Sequence, residues 1–526
     1  MEYSKIRVLV LASAVASLHA VAIADTVTLA PPDGVSTNVL ALFTGDTAVE
    51  VAGPGAVKLN PSNMHTGGTT LSGGTLILTG DIPAGGPSPV GTGAFTVSGG
   101  TLRGTGTFGG NINATAAFTL SGDGTLALAG NNTFAGGAAL SEGTVEIAGG
   151  TVTSGVRFDL GTVSGKSATL RISGGSITSS GNLQRGYAAN TESVLVMTGG
   201  TFDISGKNSV IGYIAGPVTA RTDIAGTASL RNIGNFYIHG NGGSSSVNKI
   251  SVHDGGTLGF ASLYDNASAS TTLSVDGGTL ANDTTEIGSA RTSSNNNGWI
   301  RNNITSFKVG PGGVTFTTDN GAGAGLAQIR MPIIAEAASE GETAKGVTFK
   351  TGNWGYYAAG NDYEGPTVIK NGAALFLYSN GTIPSGSVVT VESDGELCLC
   401  GGENNPKTVS SLVLQDGAIL GFGLSLNTLT ASSSVTFPAH AKIALYNNAN
   451  PTTGKNNTDG TYAVLKVPAS YADALRAVSW TCATATSGKS YTFSVATSGD
   501  TATLSMTIAA DSSGAITGTS NLNADD

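Results

Sequence analysis

Short runs in which apolar and small polar residues alternate, each bounded by glycines, recur along most of the chain. Ala94-Phe95-Thr96-Val97 leads into Gly99-Gly100, and Thr125-Leu126-Ala127-Leu128 follows Gly124. Alternation with a period of two predicts a β-strand with one face buried. The boundaries repeat as well. GGTL stands at Gly73–Leu76 and Gly99–Leu102, DGTL at Asp123–Leu126, GGTV at Gly149–Val152, GGSI at Gly174–Ile177 and GGTF at Gly199–Phe202. The second positions fall at 74, 100, 124, 150, 175 and 200, in steps of 24 to 26 residues. The register then loosens, through Gly226, Gly256, Gly278 and Gly313, and resumes with Gly372, Gly395 and Gly417.

A unit of this size holds two or three short strands and cannot bury its apolar side alone. Stacked on similar units it shares a continuous core, which is the logic of a solenoid. Glycine at the corner allows positive φ where the chain turns, and the threonine after it suits a strand and can stack on its counterpart one coil away. Residues 25–430 are therefore expected to form a parallel β-solenoid with about 22–26 residues per coil. The six second positions are expected to stack near one corner. A string of β-sandwich domains would show longer internal periods, near 100 residues.

Two stretches break the rhythm, near 284–303 and 336–360. The first contains TSSNNNGWIRNN with Trp299, and the second holds Trp354, Tyr356 and Tyr357. Polar insertions in a solenoid map to loops on one face, often the binding face. Trp299, Trp354, Tyr356 and Tyr357 are thus candidate ligand-binding residues, with packing against their own coil as the alternative. From 431 to 526 the glycine rhythm fades. Ser434–Phe437, Ile443–Tyr446, Thr461–Leu465, Tyr491–Val495 and Thr501–Met506 read as strands, and Ser470–Ala477 as a short helix opened by Ser470 with Asp473 three residues on. A small antiparallel cap is expected there, to cover the last coil's open edge.

Ser121–Val145, SGDGTLALAGNNTFAGGAALSEGTV, resembles the autotransporter-associated β-strand repeat. Gly124-Thr125-Leu126, Gly130-Asn131-Asn132-Thr133-Phe134, Gly136-Gly137 and Gly143-Thr144-Val145 fill its usual slots. Gly360–Leu375 is a second match, with Pro366 and Ala373-Ala374 replacing the usual residues, and Thr66–Leu76 a partial third. The resemblance implies an all-β, right-handed parallel β-helix of the passenger type, exported by Gram-negative cells. It departs from a full autotransporter in that no C-terminal membrane barrel of many strands fits into the last hundred or so residues.

Export is also readable at the start. Lys5 and Arg7, the apolar run Val8–Leu18 and the Ala22-Ile23-Ala24 cleavage signal predict a signal peptide over 1–24, with a mature start at Asp25. Its removal leaves 23 basic and 34 acidic residues, a net charge of −11. Such a surface repels nucleic acid and anionic lipid, so neither is an expected partner, and no further apolar run would insert the mature chain in a membrane as a helix. Glycine, 78 of 526 residues, is about twice its usual share, while the hydrophobic 40% suffices for a core.

Candidate chemistry changes this picture little. Asp123, Asp276, Asp394 and Asp416 stand beside corner glycines, where an Asp-Gly turn explains them. A glycosidase would need a unique carboxylate pair. The mature histidines, His65, His239, His253 and His440, lie far apart, and GxSxG and GGxGxD motifs are absent. No catalytic, cofactor or metal residue is therefore nominated. Cys398 and Cys400 lie two apart on one strand face and are expected to bond each other poorly, with Cys482 as another possible partner. The expectation is a secreted or cell-surface structural, adhesion-type solenoid that binds glycans or surface proteins and is not an enzyme. A polysaccharide lyase or glycoside hydrolase on the same fold is the alternative.

Overall fold

The structure, a computed structural model, describes residues 26–213, 216–239, 245–265, 270–283, 299–301, 303–318, 326–336, 345–378, 380–400, 406–423, 427–446, 458–511 and 519–520. The signal segment lies outside these residues, as do 284–298 and 337–344 of the two irregular stretches. The fold is all-β, with about 2% helix, and forms a parallel β-solenoid of about 16 turns with a small antiparallel region at its C-terminal end. The chain divides into two compact units, one comprising residues up to 251 together with 255–271, the other 252–254 together with 272 onward.

Three parallel ladders build the first unit. In one, Ala48–Val51 pairs with Thr69–Leu71, which pairs with Phe95–Val97, and the ladder runs on to Thr201–Asp203 and beyond. Alternate residues face inward, so Val49, Val51, Leu71, Phe95, Val97 and Ile112 form continuous buried rows. A second ladder runs from Ser36–Asn38 through Phe158–Leu160 to Ser209–Ile211. The third begins in the second half of Thr101–Phe108 and continues through Gly143–Ile147, Ser167–Ile172 and Thr191–Met197 to Val218–Ile224.

The six repeat positions do not share one corner. Thr75, after Gly74, pairs with Thr101, after Gly100, in the second ladder. Thr125, after Gly124, pairs with Thr144 in the third. Thr151, Ser176 and Thr201, after Gly150, Gly175 and Gly200, stack in the first. The reason is that coil length is not constant. Asn131 lies over Thr151, a coil of 20 residues, whereas Thr151 lies over Ser176, a coil of 25. A motif repeated every 24–26 residues on 18–20-residue coils overshoots each turn and lands on the next ladder. It keeps its place only where coils grow to 25.

The interior of this unit also takes up a charge. Arg185 sits in the second ladder between Leu160 and Ile211, facing inward and fully buried. Its guanidinium donates to Thr222 Oγ1, to the Arg221 carbonyl and to the Ser193 carbonyl. Desolvation pushes its pKa down to about 9, so it stays charged at neutral pH.

In the second unit, one ladder runs through Val347–Phe349, Thr367–Ile369, Val388–Val391 and Lys407–Leu414 to Leu429–Thr436. Another runs from Leu326–Ile329 through Gly352–Tyr356, Ala373–Leu377, Glu396–Leu399 and Ile419–Gly423 to His440–Tyr446 and Ser479–Cys482. Parallel coiling therefore does not stop at 430, where the glycines thin out. It continues to Cys482, because strand pairing needs alternation and not the glycine motif. The antiparallel part is confined to Lys489–Ser498 against Thr501–Ala510, Thr501–Ala510 against Gly460–Pro468, and Ser479–Cys482 against Thr519–Ser520. The helix there is Ala472–Arg476, preceded by a 3-10 turn at Ala469–Tyr471, and no side chain caps it, so Ser470 does not open a capping box.

Candidate functional site

The four candidate aromatics lie in the second unit, and three of them are core. Gly352–Tyr356 is a strand with the pattern Gly-Asn-Trp-Gly-Tyr, in which the large residues Trp354 and Tyr356 share the inward parity. Trp354 is 0% exposed, Tyr356 1% and Trp299 3%. The Trp354 ring lies 5.1 Å from that of Trp299, 5.2 Å from Phe316 and 6.1 Å from Phe349, and its indole N–H donates to the Thr351 carbonyl at 2.8 Å. Edge-to-face packing and a satisfied N–H are what a buried tryptophan requires. A side chain with no accessible surface offers a ligand nothing to touch. Of the four, Tyr357 alone faces outward, half-buried, with its ring 4.0 Å from Tyr378 and the Arg330 guanidinium 4.9 Å from its centroid.

The second ladder of the first unit carries an aromatic surface that the sequence reading did not single out. Its strands Phe158–Leu160, Leu183–Arg185 and Ser209–Ile211, with the ends of Ser229–Ile238 and Thr257–Asp265, align Asp159, Gln184, Val210, Tyr237 and Tyr264 in one outward row. The flanking residues, such as Phe158, Leu183 and Phe236, point inward. Beside this row runs a continuous stack. The Arg157 guanidinium lies 5.2 Å over the Tyr187 ring. Tyr187 stacks on Tyr213 at 6.1 Å and 10°, and Tyr213 meets His239 at 5.4 Å. His239 meets Tyr237 at 6.3 Å, and Tyr237 stacks on Tyr264 at 5.1 Å and 4°. The ring spacings follow the rise between coils, about 4.8 Å. Tyr213 is 44% exposed. The sequence signal that could have found this surface is the aromatic two residues past each strand, as in Arg185-Gly186-Tyr187 and Ile211-Gly212-Tyr213.

The electrostatics at the Arg157 end are those of a paired but partly dehydrated carboxylate. Arg157 Nε donates to Asp159 Oδ2 at 2.8 Å. Burial nevertheless holds the Asp159 pKa above its usual value, with the arginine pulling the other way. Asp159 Oδ1 and Gln184 Oε1, on adjacent coils, are buried acceptors with no hydrogen-bond donor among the described residues. Next to them a recess of about 430 Å³ is lined by Phe118, Thr119, Gly136, Gly137, Arg157 and Asp159. Ring faces here are used against one another, so the surface presents ring edges, phenol hydroxyls and the Arg157–Asp159 pair. These are directional donors and acceptors beside apolar edges, suited to a hydroxyl-rich or peptide surface. Among the described residues no group of three or more His, Cys, Asp or Glu could hold a metal ion.

A second outward-facing cluster belongs to the second unit and is buried. Ala374, Phe376, Tyr378, Cys398 and Cys400 pack with Leu326, Tyr357 and Tyr446. Glu396 lies on the same face, accepting from Tyr446 Oη at 3.0 Å through Oε2, while Oε1 is buried without a partner. Desolvation pushes its pKa up to about 7, with the tyrosine bond opposing. A carboxyl whose folded pKa lies above its unfolded value binds more protons in the native state between about 4.5 and 7. Its stabilising contribution is complete below that window and is lost as pH rises through it. Denaturant unfolding of the second unit should thus show greater stability at pH 5 than at pH 8, with roughly 3 kcal/mol as the upper end for Glu396. Glu396→Gln should remove that part of the difference. An equal pH slope in the variant would show that Glu396 is not its source.

The model of the passenger-associated transport repeat matches residues 49–78 and 118–147. The second span contains the Ser121–Val145 segment almost whole, and the first contains Thr66–Leu76. No curated protein and no solved structure matches the chain. The two repeats on a parallel β-solenoid make this an autotransporter passenger-like repeat protein, and the repeat marks an exported or surface protein. Among the described residues, no helix is long and apolar enough to cross a membrane.

Proposed function

We propose that the chain is a surface-associated passenger solenoid with a structural, adhesion-type role, and that it contacts glycans or surface proteins through the outer face from Arg157 to Tyr264. The observation that carries this reading is the exposed Tyr187–Tyr213–His239 stack, which ends at a dehydrated Arg157–Asp159 pair beside a recess. Function concentrates where a rigid scaffold presents such groups. The non-enzymatic half of the reading is supported by the corner aspartates, each of which has a local structural partner. Asp123 pairs with Arg103, Asp276 accepts from the Gly312 N–H, Asp394 pairs with Lys442, and Asp416 holds His440. The acidic balance argues against nucleic acid. Export through the N-terminal signal is part of the same proposal, and mass spectrometry of the protein from its host should find Asp25 at the start.

Binding of the full chain to a glycan and host-matrix array tests the site. Tyr213→Ala with His239→Ala should weaken whichever contact is found by at least about tenfold, while thermal unfolding changes little. Unchanged binding in that variant would remove the face from the function. Turnover of a polysaccharide on the same array would overturn the non-enzymatic reading.

A further inference from the structure

The strand Glu396–Leu399 and the residue after it place Glu396, Cys398 and Cys400 on one outward face. That spacing alone argues against a bond between the two cysteines, because side chains two apart on an extended strand stand parallel. The structure brings the sulfurs much closer than the spacing suggests. Cys398 Sγ lies 2.8 Å from Cys400 Sγ. This is well inside ordinary sulfur–sulfur contact and within about 0.8 Å of a disulfide bond length. The surroundings show why both sulfurs can lean together. The residue over Cys398 on the next coil is Gly421, and a Cβ there would meet Cys398 Cβ and Sγ, each at 2.9 Å, and Glu396 Oε1. The residue over Cys400's end of the strand is Gly423, again without a side chain. On the other side, Phe376 and Tyr378 close over the pair. The glycines make room, and the aromatic rings shut water out.

We propose that Cys398 and Cys400 are oxidised to a same-strand Cys-x-Cys disulfide when the exported chain folds in an oxidising compartment. The chemistry needs a disulfide oxidant, and any small-molecule or protein disulfide R–S–S–R supplies it. One thiolate, Cys398 Sγ, attacks the oxidant, forming a mixed disulfide and releasing RS⁻. Cys400 Sγ then attacks Cys398 Sγ, closing the ring and releasing the second RS⁻. Two protein thiols lose two protons and two electrons, and the oxidant is reduced to two thiols. The order of events is set by burial. In the folded chain both sulfurs are buried, and desolvation with the neighbouring Glu396 raises the Cys398 thiol well above its usual range. Thiolate, the attacking form, is scarce there. Oxidation therefore precedes docking of the strand, and the finished bond is shielded from exchange. Cys482, half-buried on Ser479–Cys482, hydrogen-bonds Thr484 Oγ1 at 3.6 Å and is left outside the pair.

The full chain, refolded with oxidised and reduced glutathione, tests this. It should then be unfolded in guanidinium, alkylated with N-ethylmaleimide without reduction, and digested for mass spectrometry. The expected result is one alkylated cysteine, Cys482, and a peptide spanning Cys398 and Cys400 that is 2 Da lighter than its reduced form. Cys482→Ala should retain that peptide, which keeps the test clear of any alternative bridge. Cys398→Ala should leave Cys400 alkylated. Alkylation of all three cysteines, or a crosslinked peptide joining Cys482 to either of the others, would overturn the proposal.

Discussion

Replacing Trp354 by alanine should cost the second unit about 3–5 kcal/mol, the range for deleting a large buried ring. The ring is 0% exposed, and it is the hub of the aromatic group made with Trp299, Phe316 and Phe349. Its removal leaves a void lined by three other rings and by the Thr351 carbonyl, which loses its donor. Collapse around such a void is limited, because each neighbour is held by a strand paired on both sides. Guanidinium unfolding followed by tryptophan fluorescence and far-ultraviolet circular dichroism would give the loss directly. Trp354→Phe should recover a large part of it. Binding to cells or glycans, compared at a temperature where the variant is still folded, should be unchanged. A variant with wild-type stability and lost binding would put the ring in a recognition role after all.

The second large effect concerns two glycines of one coil. Gly74 and Gly80 both have positive φ, +65° and +80°. Nothing lies within 4 Å of a Cβ built on Gly80, whereas one built on Gly74 would sit 1.8 Å from the Gly53 carbonyl oxygen and 2.5 Å from that of Gly55. Gly80→Ala should cost only the left-handed backbone penalty, about 1–2 kcal/mol. Gly74→Ala must also push two backbones apart, across a ladder in which Thr75 pairs with Ala56, and should cost about 3 kcal/mol or more. Hydrogen exchange would show amides of 48–58 and 69–79 losing protection in Gly74→Ala and keeping it in Gly80→Ala. Equal effects would mean that conformation alone, and not the close approach of coils, demands glycine at the repeat's second position.

These two cases show where the fold was legible in the sequence. Strand alternation and corner glycines are local properties, so Ala94–Val97 or Thr125–Leu128 announce themselves, and stacking follows because such units cannot bury their faces alone. Which corner a glycine occupies depends on coil length, a property of the pairing partner and not of the motif. Hence Gly124 and Gly150 were expected over Gly100 and lie on other ladders. The same limit explains the aromatics. Trp354 and Tyr356 drew attention because the glycine rhythm fails around them, yet their shared parity with Gly355 between them marks an inward face. The outward stack from Tyr187 to His239 is spread over more than fifty residues, and only the register of adjacent coils brings it together. The extension of parallel coiling past 430 was hidden for a related reason. Glycine makes tight corners, but Ile419–Gly423 and His440–Tyr446 pair in parallel through any corner that is long enough.

The mismatch between a 24–26-residue motif and coils of about 20 residues bears on how such a chain can change by recombination. Duplicating one repeat unit in the 20-residue stretch would insert more than a full turn. The backbone could still stack, since all three ladders accept the same alternating pattern. Yet the decoration after the insertion would be carried around to a neighbouring side. Unit copying in this stretch thus reassigns which residues the protein shows to its surroundings, while in the 25-residue stretch after Gly150 it only lengthens what is already displayed. One coding element therefore yields either a new exterior or more of the old one, depending on where it is copied.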